Sequence, residues 1–317
     1  MKKLIVLLLS ISALWSCKSN RSENIDKNFV AHPKTLKELF SGFSNNELTP
    51  DVYHFNKDSV VVVATGHLYP LLYHPDVYKI FLDSIKAQKP DLFFALGDLV
   101  YNNKEQEWDT VLANFAKLKV PVYFGPGNHD LNYHYERYGG SHAHQVEAEM
   151  RYMRRAKCRY KVVQDDFANY VFINANDSAK RILSYINMMR PKLDTTKQMI
   201  ILSSQSLWFN KQQDLKNPQT WPNRPFKRDK LLPYITDFKH LIHGDWGGKF
   251  FRYRFHKDYG TFDAMGVGNR REREPLYITR LIIYKDTIIA RPVEIKLPEN
   301  STWYAKRKGE INKKHLK

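Results

Sequence analysis

Cysteine is nearly absent from this 317-residue chain, which carries only Cys17 and Cys158. If Cys17 is consumed by lipid, as its context below implies, Cys158 is the sole thiol and no intrachain disulfide can form. Cys158 lies in the basic run Arg154 to Arg159, a setting that can lower a thiol pKa. Burial as an inert side chain is the commoner fate, and we read it as structural. Long hydrophobic runs are also missing. The stretch Leu4 to Leu14 falls short of the roughly 20 apolar residues needed to cross a bilayer core. Internal repeats and low-complexity segments are absent too. Acidic residues are scarce, 33 against 50 lysines and arginines, giving a formal charge of +17. Loss of Lys2 and Lys3 with a leader would leave +15 on side chains. Such an excess favours anionic partners: phosphorylated small molecules, acidic glycans or membrane headgroups.

The leader itself has a basic start, Met1-Lys2-Lys3, a short apolar core, and Trp15-Ser16-Cys17. This is the form of an export signal. Leu14-x-Ser16-Cys17 resembles a bacterial lipoprotein signal, which implies that Cys17 is lipidated and that the chain is held at an envelope membrane, periplasmic or outer. In that location nucleic acid is not an expected partner, and part of the charge lies in the tail Lys306 to Lys314.

Residues 18–57 are polar and read as a tether and N-terminal extension, with a short helix expected at Leu36 to Phe43. Residues 58–298 have the length of one α/β domain, and 299–317 form a basic tail. Within the domain, four- and five-residue apolar runs alternate with amphipathic stretches. Strands are expected at 60–64, 92–96 and 121–124, helices at about 76–88, 106–118 and 145–156, and further core strands at 160–163, 170–173, 199–202 and 241–242. Strands buried on both faces have this look. The segments at 250–255, 277–283 and 287–289 alternate apolar with polar around the turn Lys285-Asp286, which predicts antiparallel sheet.

Three of these strands end in chemistry. Val60 to Ala64 runs into Thr65-Gly66-His67, Asp91 to Leu96 into Gly97-Asp98, and Val120 to Phe124 into Gly127-Asn128-His129-Asp130. Ligand sites of open α/β sheets collect at that carboxyl edge. The order resembles the calcineurin-like metallophosphoesterases, whose pattern is Asp-x-His, Gly-Asp-x-x-Asp, Gly-Asn-His-Asp/Glu, a lone His and Gly-His-x-His. The resemblance implies a two-sheet α/β sandwich flanked by helices. It also implies a divalent centre in which Asp98 bridges, His67 and Asn128 ligate, and His129 acts on the phosphoryl group.

Several positions depart from that pattern. Thr65 replaces the first aspartate, Ser204 stands where the lone histidine belongs, and Asp245 and Gly247 replace the closing histidines. The surviving set of His67, Asp98, Asn128 and Asp245 is rich in oxygen, which suits Mn²⁺, Mg²⁺ or Ca²⁺ better than Zn²⁺, with one ion or none bound. His243 would share a face with Asp245 if its strand continued that far. His134, His142 and His144 could reach the site mouth, and Trp208, Trp221 and Trp246 could form a platform for a sugar ring. Two functions follow from the resemblance: a metal-dependent phosphoester hydrolase with a reduced centre, or an inactive relative that binds an anionic or phosphorylated glycan or serves an envelope assembly.

Overall fold

The computed structural model describes residues 42–131, 142–207, 231–244, 251–257, 260–269 and 275–304. In chain order the elements are α1 (Asn45–Leu48), β1 (Asp51–Val52), β2 (Val60–Thr65), α2 (Pro75–Ala87), β3 (Leu92–Leu96), α3 (Glu105–Phe115), β4 (Val122–Gly125), α4 (His142–Ala156), β5 (Lys161–Gln164), β6 (Ala168–Phe172) and α5 (Ala179–Met189). They continue with β7 (Gln198–Ser203), β8 (His240–His243), β9 (Phe251–Lys257), β10 (Gly260–Gly266), β11 (Leu276–Ile283) and β12 (Ile288–Ile295).

Two mixed sheets face each other, one ordered β12-β11-β2-β3-β4 and the other β1-β5-β6-β7-β8-β10-β9. Their inner faces meet through Val60, Val62, Ala64, Phe94, Tyr170, Ile200, Leu202 and Ile242. The alternate residues of the same strands point outward. Val63 and Phe93 pack under α2 and α3, and Ile201 and Leu241 pack under α5. Helices therefore cover both sheets, and strands buried on two faces read as the unbroken apolar runs of the sequence. In α2, Pro75 opens the first turn, where its missing N–H costs nothing, and Val77, Tyr78, Phe81, Leu82 and Ile85 form one buried stripe.

The strands expected at 60–64, 92–96 and 121–124 are β2, β3 and β4, adjacent and parallel, so their carboxyl ends lie side by side. The 160–163 and 170–173 segments form the antiparallel pair β5–β6, and Tyr284 N–H closes the β11–β12 turn on the Thr287 carbonyl. Within residues 58–298, two elements were not anticipated. Helix α5 buries Ile182, Tyr185, Ile186 and Met189 at helical spacing behind the N-cap Ser178, whose side chain accepts from Arg181 N–H. Strand β10 begins and ends in glycine, which hid it.

Packing also extends beyond the expected limits of 58 and 298. Residues 42–57 are not a separate extension: β1 lies parallel to β5, and Ser44 and Glu47 cap α1 reciprocally. Glu47 is fully buried against Arg159, its Oε1 being 3.6 Å from Nε, while Lys161 Nζ lies 2.9 Å from Asp51. Removing either member of the Glu47–Arg159 pair would strand a buried charge at a cost of about 3–5 kcal/mol. At the other end Trp303 is buried in the outer core beside His74. Of the helix expected at 36–43, only residues 42 and 43 are described, and they are not helical. Cys158 is buried, and burial together with the nearby Glu47 charge pushes its thiol up to about 12, which fits an inert structural role.

Candidate active site

The carboxyl ends of β2, β3 and β4 meet the ends of β7 and β8 over a floor of glycines. A Cβ on Gly244 would lie 1.7 Å from the Leu96 carbonyl oxygen, and one on Gly66 would lie 2.5 Å from Gly244 Cα. On Gly127 it would strike Asp98 N at 2.2 Å, and on Gly97, which also has φ +84°, it would strike Ser204 Cβ at 2.3 Å. Only hydrogen fits at these contacts, and they bring the edges of the two sheets together.

Above this floor the backbone is wound tightly. His67 and Asp98 both have positive φ, 56° and 53°, a conformation that non-glycine residues rarely adopt outside functional or turn positions. It is held by hydrogen bonds: His67 N–H donates to the Gly97 carbonyl at 2.9 Å, and Leu68 and Tyr69 N–H both donate to the Asp98 carbonyl at 2.8 Å. The result places His67 Nδ1 3.3 Å from Asp98 Oδ2, while His129 N–H donates to Asp98 Oδ1 at 3.1 Å.

Burial would push the Asp98 carboxyl up, but the His67 hydrogen bond, the charges of His129 and His67 and the His129 N–H hold it well below the usual carboxylate range. Asp130 behaves in the opposite way. Burial and the Asp98 charge push its carboxyl up, against the pull of three backbone donors. Its Oδ1 accepts from Leu99 and Val100 N–H at 2.7 and 3.1 Å, and its Oδ2 from Gly127 N–H at 2.9 Å. Asp130 thus ties the Asp98 loop to the Asn128 loop and is a structural acid.

His129 Nδ1 lies 2.9 Å from the Tyr101 carbonyl. A carbonyl only accepts, so the proton is on Nδ1, and Nε2 is the nitrogen that gains or gives a proton. Tyr69 sits between the two histidines, with ring centroids 4.8 Å from His67, 4.9 Å from His129 and 5.0 Å from Tyr101, and Tyr101 stacks on His129. The two tyrosines were not anticipated. Their signal was position alone, two residues after His67 and three after Asp98.

The remaining expected ligands divide. The Asn128 amide oxygen accepts from Gln205 Nε2 at 3.0 Å. Ser204 is buried, and its hydroxyl has no hydrogen-bond partner among the described residues. Thr65 is fully buried and committed: Asn269 Nδ2 donates to its Oγ1 at 3.0 Å and to the Tyr277 carbonyl at 3.0 Å, while Asn269 Oδ1 accepts from Tyr277 N–H at 2.7 Å. Neither Gln205 nor Asn269 carries a sequence signal of its own. His243 is the last residue of β8 and alternates with Leu241 onto the outer face, away from the space between the sheets, so it does not substitute for a closing ligand. Asp245, Gly247, His134, Cys17 and the three tryptophans Trp208, Trp221 and Trp246 lie outside the described residues, as do the side chains of His142 and His144.

These residues offer oxygen donors, from Asp98, Asn128 and the partnerless Ser204 hydroxyl, together with the nitrogen of His67. Donors of these kinds can hold a divalent ion. Thr65 is neutral and already bonded, and no three His, Cys, Asp or Glu side chains converge on a metal position among the described residues.

The calcineurin-like phosphoesterase family model matches residues 73–246, more than half of the chain. The matched span includes Asp98, Asn128, His129 and Ser204 and begins after Thr65 and His67. The chain belongs to the calcineurin-like phosphoesterase family, whose members imply use of a divalent metal. Among solved structures, a purple acid phosphatase from yellow lupin (Lupinus luteus) seeds superposes with a TM-score of 0.53 at 12% identity over 76% of this chain. The chain spans 52% of the lupin protein's length, so the likeness is one of fold. A phosphopantetheinyl hydrolase from Mycobacterium tuberculosis matches at TM-score 0.39 and 12% identity over 67% of this chain and 90% of its own. No curated protein sequence matches the chain.

Proposed function

We propose that this protein is an exported, lipid-anchored phosphoesterase with a reduced metal centre, acting on the phosphoester of a small molecule or glycan. One observation carries the reading: Asp98 is gripped by His67 and His129 at the ends of adjoining parallel strands, while the neighbouring Thr65 position is closed off by Asn269. Asp98, Asn128, Ser204 and, beyond the described residues, Asp245 would hold a single divalent ion, which when bound would polarise a phosphoryl oxygen. Mg²⁺, Mn²⁺ and Ca²⁺ suit such oxygen donors.

His129 does the proton work. Its Nδ1 proton is fixed on the Tyr101 carbonyl, so the ring is oriented and Nε2 carries the second proton of the imidazolium. Nε2 can hydrogen-bond a phosphoryl oxygen or protonate the leaving oxygen. His67 balances Asp98 from the other side, and Tyr69 keeps the two imidazoles apart. The leader motif ending at Cys17 supports export and lipid attachment.

A second reading, a binding module without turnover, is favoured by two commitments: Thr65 is bonded to Asn269 and Asn128 to Gln205. The test is bound-metal stoichiometry with Mn²⁺, Mg²⁺, Ca²⁺ and Zn²⁺, together with hydrolysis of an aryl phosphate. One bound ion and turnover that disappears in His129→Ala support the enzyme. No ion, no turnover and saturable aryl phosphate binding that weakens in His129→Ala support the module. Turnover that survives both Asp98→Asn and His129→Ala would refute this site.

A further inference from the structure

At the opposite end of β2, on the outer face of the five-stranded sheet, a cavity of about 490 Å³ opens beyond the end of α2. Its lining includes Val61, Lys89, Arg280, Arg291, Pro292 and Val293. Val61 stands four residues before Thr65, about 13 Å along an extended strand, so this cavity is separate from the Asp98 site. We propose that it is a second anion site, which takes the phosphate group of a phosphorylated ligand.

The β11–β12 register sets Arg280 directly opposite Arg291. Cross-strand partners share a face with Cβ atoms about 5 Å apart, and like charges so placed repel. Lys89 adds a third cation from the residue that closes α2, at φ 48°, a left-handed position where glycine is the usual occupant. No carboxylate among the described residues pairs with these three. Two acids close by in sequence are engaged elsewhere: Asp91 accepts from Lys57 and from Val61 N–H, and Glu294, on the other face of β12, accepts from the Tyr277 hydroxyl.

A sheet that places two arginines at paired cross-strand positions, adds a lysine and supplies no paired acid among the described residues is stabilised by a counter-anion from outside. Guanidinium forks match phosphate geometry, and Val61, Pro292 and Val293 offer apolar contact beside them. The volume exceeds that of a bare phosphate and lies within the range of small-molecule sites. The ligand is therefore a phosphate monoester with an attached polyol or sugar-sized group, either free or presented as a lipid headgroup.

The proposal is tested on the full chain with inorganic phosphate as the probe, by calorimetric titration and thermal melting. Arg280→Gln/Arg291→Gln is expected to weaken phosphate binding at this site by about tenfold or more, the loss of roughly one charge-assisted contact. The same variant should melt higher than wild type in phosphate-free, low-salt buffer, because the repulsion is gone. Phosphate stabilisation should persist in His129→Ala, which separates this site from the proposed active site. Arg291→Gln alone, at an exposed strand position, replaces the double variant if that fails to fold. Stabilisation retained in the arginine variants but lost in His129→Ala would overturn the proposal, as would an arginine variant that melts no higher without phosphate and binds it equally well. Sedimentation with phosphatidate-containing vesicles, lost in the variant and competed by phosphate, would identify a lipid headgroup as the source. Phosphate binding by wild type without vesicle sedimentation would identify a soluble ester.

Discussion

The two sides of the active-site floor are built from the same materials and have been put to opposite uses. On the Asp98 side, charge is concentrated: a carboxylate, two histidines and a buried second acid within one wound loop system. On the Thr65 side charge has been removed, and the gap is closed by a neutral amide that bonds the threonine hydroxyl, the Tyr277 carbonyl and the Tyr277 N–H. A merely missing ligand would leave buried donors and acceptors unsatisfied, at about 1–3 kcal/mol each. The Asn269 bridge removes that cost, so the Thr65 side is finished as structure, while the Asp98 side keeps the charged groups that the proposed reaction needs.

The contrast can be broken most severely through the floor both sides share. Gly244→Ala is expected to destabilise by more than about 4 kcal/mol, since its Cβ has no place beside the Leu96 carbonyl. Gly42→Ala, with nothing within 4 Å of its Cβ, should stay within about 0.5 kcal/mol of wild type. Denaturant unfolding of the two variants checks the pair.

Next in size is the Asp98 side itself. Asp98→Asn should lower aryl phosphate turnover at least about 100-fold, a loss of transition-state stabilisation of about 2.7 kcal/mol or more, and should also lower stability at neutral pH, because the carboxylate held by His67 and His129 is gone. Steady-state kinetics alongside a melting curve would measure the two effects. Asn269→Ala should act on stability alone, costing about 2 kcal/mol through the bonds lost to Thr65 and Tyr277 and leaving bound metal unchanged. Were Asn269→Ala to abolish metal binding at unchanged stability, the division between the two sides would be wrong.

The finest test is pH, on chelator-treated protein. Asp98 has a lowered carboxyl pKa, so the stability it contributes is present above the ordinary carboxylate pKa and is lost only in acid below it. Asp130 has a raised one, so stability present below the ordinary value is lost as pH rises toward about 7. Wild type should therefore lose stability between about pH 4 and 7 through Asp130. Asp98→Asn should flatten that slope, because the charge that presses on Asp130 is gone. An unchanged slope would show that the two carboxyls do not sense each other.

Much of this was legible from residue pattern. The three apolar runs before Thr65, Gly97 and Gly127 specify β2, β3 and β4 because strands buried on both faces leave no other composition, and their shared carboxyl edge follows from being parallel. What stayed hidden came from longer range. Asn269 sits between weak strand signals, and its meaning exists only once β11 lies against β2. Gln205 is an unremarkable polar residue until β7 brings it to Asn128. Helix α5 shows helical spacing from Ser178 to Met189, but the segment lies between stronger strand signals. The burial of residues 42–57 depends on Glu47 meeting Arg159, 112 positions away, which no local pattern can announce.

The bridge at Asn269 also bears on how this chain could change over generations. A lone Thr65→Asp substitution would set a carboxylate against the Tyr277 carbonyl and lose the hydroxyl that now donates toward it, so the new ligand would first arrive as a defect. Asn269 would have to change in the same lineage, and Ser204 and the closing positions as well, before a second ion could repay the loss. A site closed by bonds of this kind reopens only where several substitutions arrive together.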